Sequence, residues 1–462
     1  MSTDRKFPGR DRPEGGNRPA PHTARRPFRH PRPKPEAEIA AAALDALIAV
    51  DSGRAADRVL KSAFDRRKWQ PPQRARIARL VLGVARNRGQ LDWWLDHVGC
   101  RAQSLSRLVA ALTLLEGADK STVRKHLPDL PAPETKAMEQ LIGRSLSHPD
   151  QPAAVQANLP GWLMPHFERR FAARLVPEAA ALCGEAGLDL RANSLKTTRE
   201  GAIAALAEDG IIAQPTPLSP VGLRVEGRPP IARTRAWREG LVEVQDEASQ
   251  LAALLLGARA GERVLDLCAG AGGKTLAIAA AMENKGRLIA TDADERRLEE
   301  AVTRLRRNDV HNVTRRAVGA EGDAWLSRHK GGFDRVLVDA PCTGTGTFRR
   351  NPDAKWRSSP EELTHLTALQ GKLLARAAAL VKPGGRLVYA TCSVLAEEDE
   401  DQIDAFLAAH PEFRPVPLAE AWAAVGSPRP APVAGPYLLL SPARHSTDGF
   451  FAAVLERQAA AS

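Results

Sequence analysis

The sequence predicts an α/β protein: a mainly parallel sheet with helices on both faces over residues 240–458, preceded by an all-helical region and a small α/β module. Three observations carry this prediction. From about residue 240, strand-like apolar runs alternate with helix-length segments, the pattern of a parallel sheet whose crossovers are helices. Between residues 36 and 145 the apolar residues recur at helical spacing instead. The chain's 462 residues also exceed what one ordinary core accommodates, so two or three domains are expected.

Residues 1–35 hold eight prolines and almost no aliphatic side chains, which predicts a disordered or locally polyproline-like tail. Ten Lys/Arg against three Asp/Glu give this tail +7 of the net +11. That charge suits a phosphate-rich partner and suits a solubilising tail equally well. In the helical region 36–145, Ile39, Ala42, Ala43 and Leu47 share one face, as do Ile77, Leu80, Val81 and Val84. Asp51-Ser-Gly53 and Gln70-Pro-Pro72 divide the region into short helices. Arg74, Arg76, Arg79, Arg86 and Arg88 fit a solvated helix face better than a nucleic-acid contact. Trp93-Trp94 predicts at least one buried ring, because aromatic side chains dominate core energetics.

The polar stretch Ser145–Pro152 reads as a linker, after which Pro160 suits the first turn of a further helix. Over 155–235, a strand at Leu188–Asn193, a helix at Thr197–Glu208 and a strand at Gly222–Glu226 make the small α/β module. Strands are then expected at 263–268, 286–291, 312–318, 333–339, 385–391 and 449–456, with helices at 273–283, 294–307 and 360–380.

Composition excludes several classes. At 43% hydrophobic and 26% charged residues the chain has ordinary globular values, and no apolar run approaches the length of a membrane span. With no apolar signal region at the amino terminus, a cytoplasmic location is expected. The five cysteines (100, 183, 268, 342, 392) are odd in number and widely spaced, with no C-x-x-C pair, which excludes a zinc or disulfide framework. Cys100 and Cys183 are expected to be small buried hydrophobes.

The first chemical motif is Val264-Leu-Asp-Leu-Cys-Ala-Gly-Ala-Gly-Gly-Lys-Thr275, a strand passing through a glycine turn into a helix. Glycines let backbone approach a ligand, and the helix amino terminus offers unpaired N–H groups. A Walker A loop needs glycine where Cys268 stands, and the dinucleotide pattern needs one where Thr275 stands, so both readings fail. What remains is the turn after the first strand of an S-adenosylmethionine-dependent methyltransferase. Cys268, Ala269, Gly270, Ala271, Gly272, Gly273 and Lys274 are therefore the candidate cofactor loop. Asp292, ending the second strand, can accept hydrogen bonds from ribose hydroxyls; its alternative role is a helix N-cap. Asp323 is the candidate for the adenine amino group, with Glu321 competing. Asp339 closes the candidate cofactor set.

The second motif is a pair of thiols. Cys342 and Cys392 each lie just past a strand-like run, Phe333–Asp339 and Gly385–Thr391. In an open α/β sheet the carboxyl ends of the strands form the ligand crevice. Two thiols beside Asp339 in one crevice predict covalent chemistry, one cysteine attacking and the other assisting.

Asp339-Ala-Pro-Cys342 and Thr391-Cys392-Ser393, with Gly240–Ser249 and Leu188–Lys196, resemble the RNA cytosine-C5 methyltransferases of the Sun/Fmu family over about residues 36–458. Residues 36–145 are similar to the antitermination-factor-type RNA-binding domain of the bacterial 16S ribosomal RNA members. The resemblance implies a Rossmann-like class I methyltransferase domain with a seven-stranded mainly parallel sheet, preceded by two RNA-binding modules. It further implies S-adenosyl-L-methionine as cofactor, a monomer, and RNA as partner, with 16S ribosomal RNA favoured and transfer RNA possible. In those terms Cys392 attacks C6 of cytosine and Cys342 assists release. Asp339 is the general acid toward N3, either protonated itself or hydrogen-bonded to a protonated base. Lys274 orders the cofactor loop and the acidic side chains around it.

One departure is visible. The family's usual Cys-Ala-Ala-Pro-Gly-Gly-Lys is Cys268-Ala-Gly-Ala-Gly-Gly-Lys274 here, so a more flexible loop is expected. DNA cytosine-C5 methyltransferases share a Pro-Cys motif but carry a Glu-Asn-Val triplet that this chain lacks. A P-loop nucleotidase is opposed by Cys268, and a silent RNA-binding scaffold by the presence of every expected catalytic side chain. Phe348-Arg349-Arg350 and Lys355-Trp356-Arg357 are expected to add basic and aromatic groups beside the site, with packing under the Cys342 loop the alternative for Trp356. A target base must leave its stack, which points to a loop or partly unfolded RNA.

Overall fold

The structure, a computed structural model, describes residues 35–319, 324–427 and 429–459. The tail up to residue 34, Glu321 and Asp323 lie outside the described residues. Helices occupy Pro35–Asp51, Ala56–Arg66, Pro71–His97, Ser104–Leu114, Lys120–His126 and Ala132–Leu141. In the first, the buried line is Ala40, Ala43, Leu47 and Val50. The expected face is thus rotated by about one residue, leaving Ile39 and Ala42 half-buried. Ile77, Leu80, Val81 and Val84 are all buried as expected. Gln70-Pro-Pro72 opens the longest of these helices instead of ending one, with Gln70 and Gln73 forming a capping box and Pro71 at its first position. Trp94 is buried, and its indole N–H donates to Leu146 O at 2.9 Å. Gln151 likewise donates to Leu146 O, so the stretch read as a linker is tied to the helical core.

The small sheet contains β1 Leu188–Ala192, β2 Ala213–Pro215, β3 Gly222–Val225 and β4 Val242–Val244, in the antiparallel order β2-β3-β1-β4. It closes only with β4, beyond residue 235, because β4 supplies the pairing for the free edge of β1. The helices Met164–Phe171 and Leu175–Cys183 pack elsewhere, against Phe348, Leu363, Val394 and Leu395.

The large sheet contains β5 Arg263–Asp266, β6 Arg287–Asp292, β7 Val313–Ala317, β8 Phe333–Asp339, β9 Val381–Thr391, β10 Phe413–Pro415, β11 Leu438–Leu440 and β12 Phe450–Arg457. Its order is β10-β12-β9-β8-β5-β6-β7, with β11 pairing β12 as an eighth strand. β5 to β9 are mutually parallel, whereas β12 runs antiparallel to β9. Side-chain alternation splits the strands between two cores. Val264, Leu288, Leu337 and Val388 enter one face; Leu265, Ile289, Val338 and Tyr389 enter the other.

The segment after Cys342 holds these parts together. Phe348 and Lys355 are fully buried, and Arg349 is 5% exposed. Arg349 and Arg350 pair with Asp246 and Asp448. Trp356 donates to Ala85 O at 2.7 Å, and Lys355 to Arg86 O at 3.0 Å. At this contact the helix Pro71–His97 kinks at Asn87. Gln90 N there donates to Asn158 Oδ1 at 3.2 Å, so side chains have entered the helical ladder. Asp353 accepts from Ala56 N at 3.1 Å, capping a helix whose own N-cap residue, Ala55, has no capping side chain. The expectation that these residues add RNA-facing groups is therefore corrected for Phe348, Arg349 and Lys355, which are interior ties, and for Trp356, which packs on the helical region instead of under the Cys342 loop. Arg350 is half-buried on Asp246 and Asp448, and Arg357 is exposed and pairs with Asp353. The helix arginines are also largely committed, Arg76 to Glu116, Arg88 to Asp51, and Arg86 to Arg349 O.

Trp356→Ala is expected to loosen this junction by about 2 kcal/mol, below the ~3–5 kcal/mol of a fully buried aromatic truncation. Limited proteolysis should then cut the helical region from the rest at least several-fold faster than in the parent chain.

Candidate active site

β8 and β9 are adjacent and parallel, with Asp339 opposite Ala390. Both chains therefore leave the sheet at the same edge, one toward Cys342 and the other toward Cys392. Their sulfurs lie 3.4 Å apart, a hydrogen-bonding distance between two free thiols. Backbone and side-chain bonds zip the two loops together. Gly346 N donates to Cys392 O at 3.0 Å, Thr345 and Ser393 hydroxyls meet at 3.0 Å, and Ala340 N donates to Ala390 O at 2.9 Å. Gly346 must be glycine, since a Cβ there would stand 2.1 Å from Gly449 O. The hydrogen bond from Cys392, burial and the neighbouring Glu398 push the Cys342 thiol well above the usual range.

The glycine turn follows β5. Gly270 and Gly272 take φ of +53° and +81°, a conformation that favours glycine. The loop is pinned at several points rather than loose. Ala269 N donates to Thr291 O at 2.8 Å, Gly270 N to Asp292 Oδ2 at 2.8 Å, and the Arg304 guanidinium to Ala271 O at 2.8 Å. The expected flexibility is offset by these bonds. Asp292 also accepts from Asp294 N, while Asp294 itself caps the helix Glu295–Arg307. The N-cap alternative for Asp292 thus falls to its neighbour, and its carboxylate faces the cavity.

One cavity of about 560 Å³ joins these features, lined by Leu267, Cys268, Asp292, Asp339, Pro341, Cys342 and Cys392 among others. Lys274, nearly buried, donates to Asp339 Oδ2 at 2.6 Å and lies 5.0 Å from the Phe450 ring. Positive-φ glycines, a carboxylate at the end of β6 and a helix amino terminus make the residues fit for a nucleoside carrying a charged tail. Burial raises the Cys268 thiol well above its ordinary range. Among the described residues no group of three or more His, Cys, Asp or Glu could hold a metal ion. No helix among them is long and apolar enough to cross a membrane.

Sequence reasoning missed two supports. Glu398 and Gln370 hold the Cys342 loop from behind, Gln370 Nε2 reaching Pro341 O at 2.9 Å. The available signal was the acidic run Glu397-Glu398-Asp399 directly after the apolar Val394-Leu395-Ala396, an odd place for charge. Asp266, fully buried at the end of β5, was also missed; Thr275 Oγ1 donates to it at 2.7 Å.

The 16S rRNA methyltransferase RsmB/F family matches residues 253–456, and the Methyltr_RsmF/B-like ferredoxin-like domain matches residues 159–232. The chain is 30% identical over 382 residues to the ribosomal RNA small subunit methyltransferase B of Salmonella newport (strain SL254), a match spanning 79% of this chain and 88% of that one. Among solved structures it is similar to PH0851, with a TM-score of 0.76 and 26% identity, covering 92% of this chain and 99% of the other. It is also similar to a methyltransferase homolog protein from Pyrococcus horikoshii, with a TM-score of 0.56 and 27% identity, covering 66% and 97% of the two chains.

Burial pushes the Asp266 carboxyl up to about 7, against the Thr275 hydrogen bond, which lowers it. The folded chain then keeps a proton that the unfolded carboxyl, at about 3.9, gives up. Stability from this group is complete below the unfolded value and is lost as pH rises through the folded one. Asp266→Asn should therefore show a smaller drop in urea midpoint between about pH 5 and pH 8 than the parent chain.

Proposed function

The chain belongs to the RsmB/F family of S-adenosylmethionine-dependent rRNA methyltransferases, and we propose that it methylates C5 of a cytosine in 16S ribosomal RNA through a covalent bond between Cys392 and C6. The observation that carries this reading is the 3.4 Å pair of free sulfurs opening on the same cavity as Cys268, where the glycine turn begins, and the Asp292 carboxylate. S-adenosylmethionine supplies an electrophilic methyl group when bound. The loop Cys268–Lys274 and the Asp292 carboxylate are the groups proposed to hold it.

C5 of cytosine is a poor nucleophile. Addition of the Cys392 thiolate to C6 forms an S–C6 bond and moves the ring's π electrons toward C5, which can then take the methyl group. Asp339 shares a proton with N3 as negative charge moves onto the ring. The Lys274 ammonium at 2.6 Å is the proton source that an ionised Asp339 lacks. A base takes the C5 proton, which restores the C5–C6 double bond and expels the Cys392 thiolate, and N3 returns its proton to the Asp339–Lys274 pair to complete the cycle. Cys342, a raised thiol beside Cys392, is assigned to that release. Beside it, the small sheet and the helical region would contact the RNA backbone.

Cys392→Ala is expected to abolish methylation and all covalent adduct. Cys342→Ala should permit attack and trap protein on RNA as a slow-migrating species on denaturing gels. Retained turnover in the first variant, with no adduct in the second, reverses the roles. Asp292→Ala should weaken S-adenosylmethionine binding by at least tenfold in isothermal titration, as expected for a lost charged acceptor. Bisulfite sequencing of RNA from a deletion strain, with and without complementation, should lose one ribosomal cytosine signal; a lost transfer-RNA signal with an unchanged ribosomal profile overturns the substrate.

A further inference from the structure

Three residues, Pro341, Cys342 and Thr343, carry the sulfur assigned to release, and they are held from one side by a single carboxylate. Glu398 is fully buried. Its Oε1 accepts from Thr343 N at 2.8 Å and from Gln370 Nε2 at 3.1 Å, and its Oε2 accepts from the Thr343 hydroxyl. Gln370 Nε2 also donates to Pro341 O at 2.9 Å. The peptide groups on both sides of Cys342 are thus tied to one acidic centre, directly on one side and through an amide on the other. Glu398 itself stands six residues past Cys392, and Tyr389 on β9 donates to its backbone carbonyl at 2.6 Å. It therefore bridges the two cysteine loops.

We propose that Glu398 is a positioning residue for the release step, fixing the Pro341–Thr343 segment so that the Cys342 sulfur stays beside Cys392 while the S–C6 bond breaks. The inference rests on the assignment of Cys342 to release. A carboxylate is a costly group to bury, and only well-made hydrogen bonds offset that cost. Here the hydrogen bonds from Thr343 and Gln370 supply that offset, and they fix the position of the Cys342 loop by geometry.

The full chain is tested with a 16S ribosomal RNA transcript and S-adenosylmethionine, comparing the first turnover with the steady state and assaying adduct on denaturing gels. Glu398→Ala should lower the first turnover by less than about threefold and the steady-state rate by more than about tenfold, with adduct accumulating, the split expected when a late step is damaged. Glu398→Gln, which keeps an acceptor for Thr343 N–H, should recover most of the steady-state rate. A first turnover and steady state that fall together, or that both stay at the parent level, overturn the proposal. If Glu398→Ala does not fold, Thr343→Val and Gln370→Met carry the test. Each should then accumulate adduct, and parent-like behaviour in both is the overturning result. Cys342→Ala is run alongside: adduct with it and none with Glu398→Ala rejects Glu398 alone, whereas no adduct with Cys342→Ala rejects the release assignment and this inference with it.

Discussion

The parallel pairing of β8 with β9 is the constraint on which the rest depends. With Asp339 opposite Ala390, two cysteines fifty residues apart in sequence leave the sheet side by side. A slip of one residue would turn every side chain of one strand to the other face, exchanging the residues that fill the two cores and turning Asp339 away from its present face. The register is held because both faces of these strands are buried, Leu337 and Val388 on one side, Val338 and Tyr389 on the other. The distance between the sulfurs is thus set by hydrophobic packing well below the site, and only trimmed by the hydrogen bonds between the loops.

From that pair, ties run outward without a break. The chain leaving Cys342 passes Gly346, pressed against Gly449, then Arg349 and Arg350, which neutralise Asp246 and Asp448 in the interior. It ends at Lys355 and Trp356, inserted where the helix Pro71–His97 kinks. Buried charges of both signs in one cluster cancel, which is what makes their burial tolerable. On the opposite flank, Glu243 of β4 meets Arg304, Arg307 and Asn308 of the helix that follows the Asp292 strand. Gly240 there approaches Arg307 O so closely that a Cβ would overlap it. Both accessory modules are therefore attached through segments continuous with or bonded to the loops around the cavity: one follows Cys342, the other meets the helix whose Arg304 holds Ala271 O.

The elements of the large sheet were readable within a few residues, because strand and helix periodicities are local properties. The short strands β10 and β11 were not, since three residues are too few for a period to show. The site divides in the same way. Cys268 to Lys274, Asp292, Asp339, Cys342 and Cys392 announce themselves by motif and by position at strand ends; of these, Cys268, Asp292, Asp339, Cys342 and Cys392 line one cavity, and Lys274 is tied to it through Asp339. Arg349, Arg350, Lys355 and Trp356 look like surface chemistry in sequence, yet Arg349 and Lys355 are interior in the fold and Arg350 and Trp356 are half-buried against their partners. Their partners Asp246, Asp448, Ala85 and Arg86 lie about a hundred residues away or more, where no pattern along the chain can point to them.

By itself, then, the sequence determined the alternation of strands and helices, the glycine turn and the placing of each thiol and the aspartate at or just past the end of a strand, because each of these depends on neighbours within a dozen residues. Only the tertiary structure decided which charges are buried, that Asp294 rather than Asp292 caps its helix, that Lys274 pairs with Asp339, and that Glu398 stands behind Cys342. Those outcomes depend on where distant groups lose their water, and the desolvation of a charge is settled by the whole fold around it, not by the residues beside it in the chain.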